Sequence, residues 1–158
     1  MCSVIMRLVK QCGALTVMTR ITASRYHDFS TGHRVYQHES KCAHLHGHNY
    51  RVHFTIEAPE LDKIGRVLDF SVIKTLLCNW LEDHWDHKFL VWEQDPWHET
   101  LKMLDPEGTV IVPFNPTAEN MGKYLVETVG PMQLRGTEAI LVEVSIEETR
   151  KCSVAVSL

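Results

Sequence analysis

The sequence predicts an α+β fold, an antiparallel sheet with two helices packed on one face. Three observations predict it. Residues 51–58 and 139–147 alternate apolar and polar side chains, which marks strands with one buried face. Residues 71–85 repeat apolar side chains at helical spacing. The order along the chain is strand, strand, helix, strand, helix, strand, strand, with the strands carrying the alternation of antiparallel pairs rather than continuous apolar runs.

The elements follow in order. Residues 19–29, TRITASRYHDF, read as extended chain. In RVHFTIEA, 51–58, Val52, Phe54 and Ile56 face one way and His53, Thr55 and Glu57 the other. Residues 59–65 form a turn region opened by Pro59 and closed by Gly65. The first helix, 71–85, buries Val72, Ile73, Leu76, Leu77, Trp80 and Leu81, with Asp69 or Ser71 as its cap. Residues 86–108, with Trp92, Pro96, Trp97 and Pro106, read as irregular, and TVIVPF, 109–114, as a short strand. At Pro116-Thr117-Ala118-Glu119-Asn120 a second helix begins: Thr117 can accept from the free amides and Glu119 favours the positive end. It runs to about Gly130. Residues 139–147 form a strand with Ile140, Val142, Val144 and Ile146 on one face, and 153–158 a final strand. The opposite face of the sheet carries His53, Thr55, Glu57, Glu143, Ser145 and Glu147, and is either solvated or lines the channel of an oligomer.

With 158 residues, 44% hydrophobic and 23% charged, the chain has the composition of one globular domain. No apolar run approaches the roughly 20 residues of a membrane-spanning helix. Sixteen Lys and Arg against twenty Asp and Glu leave a net charge of −4, with no general electrostatic case for nucleic acid or an anionic membrane. Residues 1–17 carry Arg7 and Lys10 before a short apolar stretch, Cys12 to Val17, and no A-x-A site follows. They read as a tail, or as sequence upstream of a start at Met18, and leave 18–158 as a single domain. The cysteines, Cys2, Cys12, Cys42, Cys78 and Cys152, are odd in number and irregularly spaced, and contain no CxxC pair. That argues against a disulfide framework or thiolate zinc site and for a reducing, cytoplasmic compartment.

The unusual count is ten histidines. In extended chain His46 and His48 project to one side, with Gly47 between them, and His33 can meet them across the sheet. Three imidazoles with no fourth protein ligand form the open arrangement of catalytic zinc. A solvated His-x-His pair is the competing reading. Only proximity supports His38 and His44, while His27, His53, His84 and His98 read as surface or hydrogen-bonded side chains. Cys42 lies four residues before His46 and beside Lys41, where its thiol can act as a base, or else it is a small buried hydrophobe. Cys78 and Cys152 take the buried reading. Asp86 beside His87 is either an oriented acid–base pair or a polar helix exit. Glu148, in Glu147-Glu148-Thr149, can pair with a guanidinium-like ligand edge, or is a solvated strand end.

Taken together and in order, these pieces resemble the family of 6-pyruvoyl-tetrahydropterin and 6-carboxytetrahydropterin synthases. The matching residues are His33-Arg34, Lys41-Cys42-x3-His46-Gly47-His48-Asn49-Tyr50, Gly65-Arg66-Val67-Leu68-Asp69-Phe70, Asp86-His87-x2-Leu90, Pro116-Thr117-Ala118-Glu119-Asn120 and Glu148-Thr149, spread over residues 20–156. The resemblance implies a tunnelling fold: a four-stranded antiparallel sheet with two helices, closed by three subunits into a barrel and doubled into a homohexamer, with sites at subunit interfaces. It implies a lyase with zinc on His33, His46 and His48, Cys42 as proton acceptor, Asp86 and His87 as proton relay, and Glu148 as pterin anchor in the catalytic set. Thr117 and Glu119 fall where family members hold the pterin ring from a neighbouring subunit. The implied substrate is 7,8-dihydroneopterin triphosphate, and Arg34, Arg51 and Lys88 are candidates for its phosphates.

Pyruvoyl synthases of the mammalian type place five residues between the Cys and His-Gly-His, and the carboxy enzymes of queuosine biosynthesis place three. Ala43, His44 and Leu45 give this chain the carboxy spacing. A third branch carries Glu in place of the Cys. Two departures are visible: residues 92–112 look longer than in the usual carboxy enzyme, and His44-Leu45 stands for the commoner Arg-Leu. The rivals are a pyruvoyl synthase or altered pterin substrate, a non-catalytic zinc- or pterin-binding hexamer, and a hydrolytic zinc enzyme, which lacks an HExxH base.

Overall fold

The computed structural model describes residues 19–158, and the tail expected over 1–17, like Met18, lies outside the described residues. The chain begins with strands β1 (Ala23–His33) and β2 (His46–Glu57), separated by a 3-10 turn at Lys41–Ala43. Helix α1 covers residues 70–84, with a π-helical turn at Lys74–Cys78 between two α-helical stretches. Strand β3 (Phe89–Trp92), helix α2 (His98–Leu104) and strand β4 (Thr109–Val112) follow. Helix α3 covers 118–133, again with a π-helical turn, at Leu125–Val129. Strands β5 (Ile140–Thr149) and β6 (Cys152–Ser157) complete the chain.

The six strands form one sheet in the order β4-β3-β1-β2-β5-β6. The expected four antiparallel strands are there: β1 with β2, β2 with β5, and β5 with β6. The sheet is nonetheless mixed and larger than expected, because β3 runs parallel to β1 and β4 parallel to β3. Both belong to the segment 86–112. Phe-Leu-Val-Trp buries Leu90 and Val91 in succession, so it lacks the alternation that announces a one-sided strand. Helix α2 buries none of its residues and has no apolar stripe to read.

One core joins the helices to the sheet. Val52, Phe54 and Ile56 are fully buried, as their alternation predicts, and pack with Ile73, Leu77 and Leu81 of α1 and Met121, Leu125 and Val129 of α3. Each such side chain contributes roughly 1.5–3 kcal/mol on burial. Asp69 caps α1 by accepting from the Ser71 amide at 2.8 Å, and Thr117 caps α3 by accepting from the Asn120 amide at 3.3 Å.

Strand β5 departs from strict alternation. Thr55 pairs with Glu143 but Ile56 pairs with Leu141, so Val142 is an extra residue, a β-bulge. The expectation that Ile140 and Val142 share the buried face is therefore corrected: Ile140 is 53% exposed, while Leu141, Val144 and Ile146 are buried. No helix among the described residues is long and apolar enough to cross a membrane.

Candidate active site

Strand pairing assembles the histidines. His33 and His46 are direct cross-strand partners, and His48 follows two residues along on the same face. Ring centroids lie 4.4 Å apart for His33–His46, 5.3 Å for His33–His48 and 5.0 Å for His46–His48. One ligand nitrogen from each lies within 4.8 Å of the other two. Gly47 permits this closeness: a Cβ there would meet the Thr31 carbonyl oxygen at 2.9 Å and Gly32 Cα at 3.3 Å.

Backbone carbonyls orient two of the rings. His33 Nδ1 donates to the Pro116 carbonyl at 2.6 Å, and His46 Nδ1 to the His44 carbonyl at 2.8 Å. A carbonyl only accepts, so Nδ1 carries the proton and Nε2 the lone pair on both rings. Burial first, then the neighbouring imidazoles, holds His33 below the usual histidine range, against the opposing pull of Pro116 and Glu148. Burial does the same at His48. Three imidazoles this close, two of them oriented by carbonyls, fit zinc and leave a coordination position free of protein. Protons compete with the metal only when imidazoles charge, and the lowered pKa values of His33 and His48 move that competition to more acid pH. Zinc affinity should therefore change little between about pH 7 and 8 and fall below about pH 6, as read by titration with a competing chelator.

Glu148 enters from β5. Its Oε1 accepts from the Tyr50 hydroxyl at 3.1 Å and lies 3.8 Å from His33 Nε2 and 3.9 Å from His48 Nε2. Burial and Glu148 push the Tyr50 phenol far above its ordinary range, so it stays protonated. A cleft of about 190 Å³ beside it is lined by Cys42, Thr117, Glu119, Glu148, His38 and Cys152. The structure thus brings Cys42, Thr117, Glu119 and Glu148 together within one chain.

Asp86 and His87 stand elsewhere. His87 has φ 54°, a left-handed turn fixed by donation from its amide to the Ser30 carbonyl at 2.7 Å. Its Nδ1 donates to Asp86 Oδ2 at 2.8 Å, and Asp86 Oδ1 accepts from the Ser30 amide at 2.8 Å. Burial raises the Asp86 carboxyl, but the Ser30 amide and His87 outweigh it and hold it below the usual carboxylate range. The imidazole is exposed and lines a cleft of about 410 Å³ with His46, His48, Asn49 and Lys88. Asp86 thus fixes the orientation of an exposed imidazole at the end of α1.

Other assignments change. Cys152 is exposed and lines the Cys42 cleft, whereas the strand pattern places it in the core; it opens the short strand β6, the last of the sheet among the described residues. Cys78 is buried as expected. Arg34 is buried, paired with Asp95 at 2.9 Å and stacked 3.8 Å from the Trp97 ring, which removes it from the candidates for phosphate contact. Arg51 is held by both carboxylate oxygens of Asp28, and Lys88 by the Glu107 carbonyl at 3.0 Å. Neither His38 nor His44 joins the trio, although His44 supplies its carbonyl to His46. Sequence reasoning assigns no role to Tyr50. The signal is its parity: residues 46, 48 and 50 alternate onto one face.

The comparisons with known proteins agree with this geometry. A sequence model described as 6-pyruvoyl tetrahydropterin synthase matches residues 22–157. Proteins named 6-carboxy-5,6,7,8-tetrahydropterin synthase from Rickettsia conorii and Rickettsia typhi are 31% and 33% identical, each match covering 86% of this chain and 99% of the relative. An uncharacterized protein of known structure from Wolinella succinogenes shares the fold with a TM-score of 0.76 at 23% identity, over 89% of this chain and 99% of its own. The Caenorhabditis elegans 6-pyruvoyl tetrahydropterin synthase shares it with a TM-score of 0.63 at 23% identity, over 89% of this chain and 99% of its own. A match that spans the whole described sheet and both long helices, joined to relatives covered over 99% of their own length, places the chain in the 6-pyruvoyl tetrahydropterin synthase family.

Proposed function

We propose that the protein is a zinc-dependent 6-carboxy-5,6,7,8-tetrahydropterin synthase that converts 7,8-dihydroneopterin triphosphate in queuosine biosynthesis. The observation that carries the reading is the meeting of Cys42, Thr117, Glu119 and Glu148 in one cleft, with Glu148 reaching to the three-histidine cluster. The three residues between Cys42 and His46, and the names of the Rickettsia relatives, favour the carboxy product.

His33, His46 and His48 would hold the zinc. When bound, zinc supplies Lewis acidity toward the side-chain hydroxyls of the substrate, which favours loss of a C–H proton. Cys42 accepts that proton as thiolate. His87, held through Nδ1 by Asp86, presents Nε2 to move protons to and from the side chain and ring. Glu148 anchors the guanidinium-like edge of the pterin, with Thr117 and Glu119 along the same cleft. The dihydropterin ring is reduced by hydrogens redistributed from its own side chain, so no nicotinamide is required. Triphosphate is eliminated, one water is taken up, and the outer two side-chain carbons leave as acetaldehyde while the inner one stays on the ring as the 6-carboxylate. Cys42 and His87 line different clefts within one chain, which supports a site completed by a neighbouring subunit of a homohexamer formed from two trimers.

Mass spectrometry of products from the zinc-loaded protein and 7,8-dihydroneopterin triphosphate tests the reading. The expected products are 6-carboxytetrahydropterin and acetaldehyde. 6-Pyruvoyltetrahydropterin would move the protein to the pyruvoyl branch, and no turnover would overturn the proposed substrate. Replacing Glu148 by Gln should raise KM roughly ten- to a hundredfold, because a charge-assisted hydrogen bond is worth about 1.5–3 kcal/mol. An unchanged KM would remove Glu148 from the pterin site.

A further inference from the structure

The chemistry above leaves the Tyr50 hydroxyl without a task, although it lies at the centre of the site. Its oxygen is 3.1 Å from Glu148 Oε1 and 3.2 Å from His33 Nε2. We propose that Tyr50 is a positioning residue that holds the Glu148 carboxylate off the three-histidine centre and so keeps a coordination position open for substrate. This rests on the reading of His33, His46 and His48 as metal ligands.

The distances set the problem. Glu148 Oε1 lies 3.8 and 3.9 Å from the Nε2 atoms of His33 and His48. Atoms that share a tetrahedral zinc at about 2.0–2.1 Å lie about 3.3 Å from one another, so the carboxylate stands roughly half an ångström outside a ligand position. An anionic oxygen this near a dication is drawn inward, strongly so where burial lowers the dielectric. Collapse would turn an open three-nitrogen site into a closed site with a fourth protein ligand. The same collapse would take Glu148 away from the cleft that it shares with Cys42, Thr117 and Glu119.

Tyr50 can resist this because it cannot follow. The residue is 1% exposed, and its ring stacks on Phe29 with centroids 5.4 Å apart. The hydroxyl has one proton and two acceptors within reach, Glu148 Oε1 and His33 Nε2. His33 Nδ1 already donates to Pro116, so its Nε2 is a bare lone pair until metal takes it. Metal loading therefore removes the rival acceptor and commits the proton to Glu148. The restraint is strongest in the state that needs it. A charge-assisted bond from a fixed donor then spends one carboxylate oxygen and leaves the other for the ligand in the cleft.

The experiment uses the full chain loaded with Co²⁺ in place of zinc, and azide as the probe of an open position. Visible absorption reports the coordination of cobalt. Azide should shift the spectrum of the wild-type protein. Tyr50→Phe removes one oxygen and keeps the stacked ring, and circular dichroism checks that the fold is retained. In that variant azide should leave the spectrum unchanged, and cobalt should bind on the order of tenfold more tightly in chelator competition, within the usual reach of groups behind the ligands. Adding Glu148→Gln to Tyr50→Phe should restore the azide response. Glu148→Gln alone leaves the core untouched and should bind azide at least as well as wild type.

A wild-type azide response in Tyr50→Phe would overturn the proposal, as would a double variant that stays closed. Cobalt uptake by the wild-type protein no greater than by His46→Ala would overturn it together with the metal assignment. None of these readouts requires turnover, so failure of the protein to convert a pterin triphosphate would leave the coordination result standing and count only against the proposed reaction.

Discussion

Gly47→Ala is expected to weaken zinc binding by one to two orders of magnitude and to lower the melting temperature of the metal-free protein. The added Cβ would lie 2.9 Å from the Thr31 carbonyl oxygen and 3.3 Å from Gly32 Cα, both backbone atoms of the paired strand β1. Backbone cannot rotate aside, so the β1–β2 ladder must open at this point. His46 and His48 flank the substitution, and both move away from His33. Overpacking of this kind costs about 1–3 kcal/mol, and displacement of groups that orient ligands costs about 10–100-fold in affinity. Chelator competition and thermal unfolding with and without chelator measure the two effects. Wild-type affinity in the variant would show that the three rings are not held by this close approach.

Cys42→Ala is expected to reduce turnover by about 10²–10⁴-fold, the range of a general base, while leaving zinc stoichiometry at its wild-type value. The separation of the two effects follows from position. Cys42 lies on the 3-10 turn and lines the cleft with Glu148, but is not one of the three clustered histidines. Product formation and metal content measured on the same preparation decide the matter. Near-normal turnover would remove Cys42 from the reaction, and loss of metal would recast it as a ligand.

Much of this site is visible in the sequence because strand geometry is local. A period of two places His46 and His48 on one face, and the same period carries on through Tyr50 to Val52, Phe54 and Ile56, all of them buried. What local pattern cannot show is partnership. His33 joins the others only through an eleven-pair register with β2, and the Pro116 carbonyl that orients it comes from 83 residues away. The parallel strand β3 is hidden for a different reason, while β4 falls within the short strand expected over 109–114. Strand β3 is four residues long and buried in succession rather than by turns, so its composition does not separate it from a loop. The buried pair Arg34–Asp95 is equally invisible, since each residue alone reads as solvated.

The bulge at Val142 decides more than the packing of one strand. Were β5 to alternate without interruption from Leu141, the inward phase would fall on residues 143, 145 and 147, and Glu147 would meet Tyr50 and the histidines. With the extra residue the phase passes to Val144, Ile146 and Glu148, and Glu147 turns instead to the polar face, where it pairs with His53 at 2.8 Å. Two adjacent glutamates are thus assigned opposite employments by a single residue several positions upstream. Deleting Val142 would therefore remove the bulge yet leave Leu141, Val144, Ile146 and Glu148 in one uninterrupted inward phase, so the variant should keep Glu148 facing the histidines.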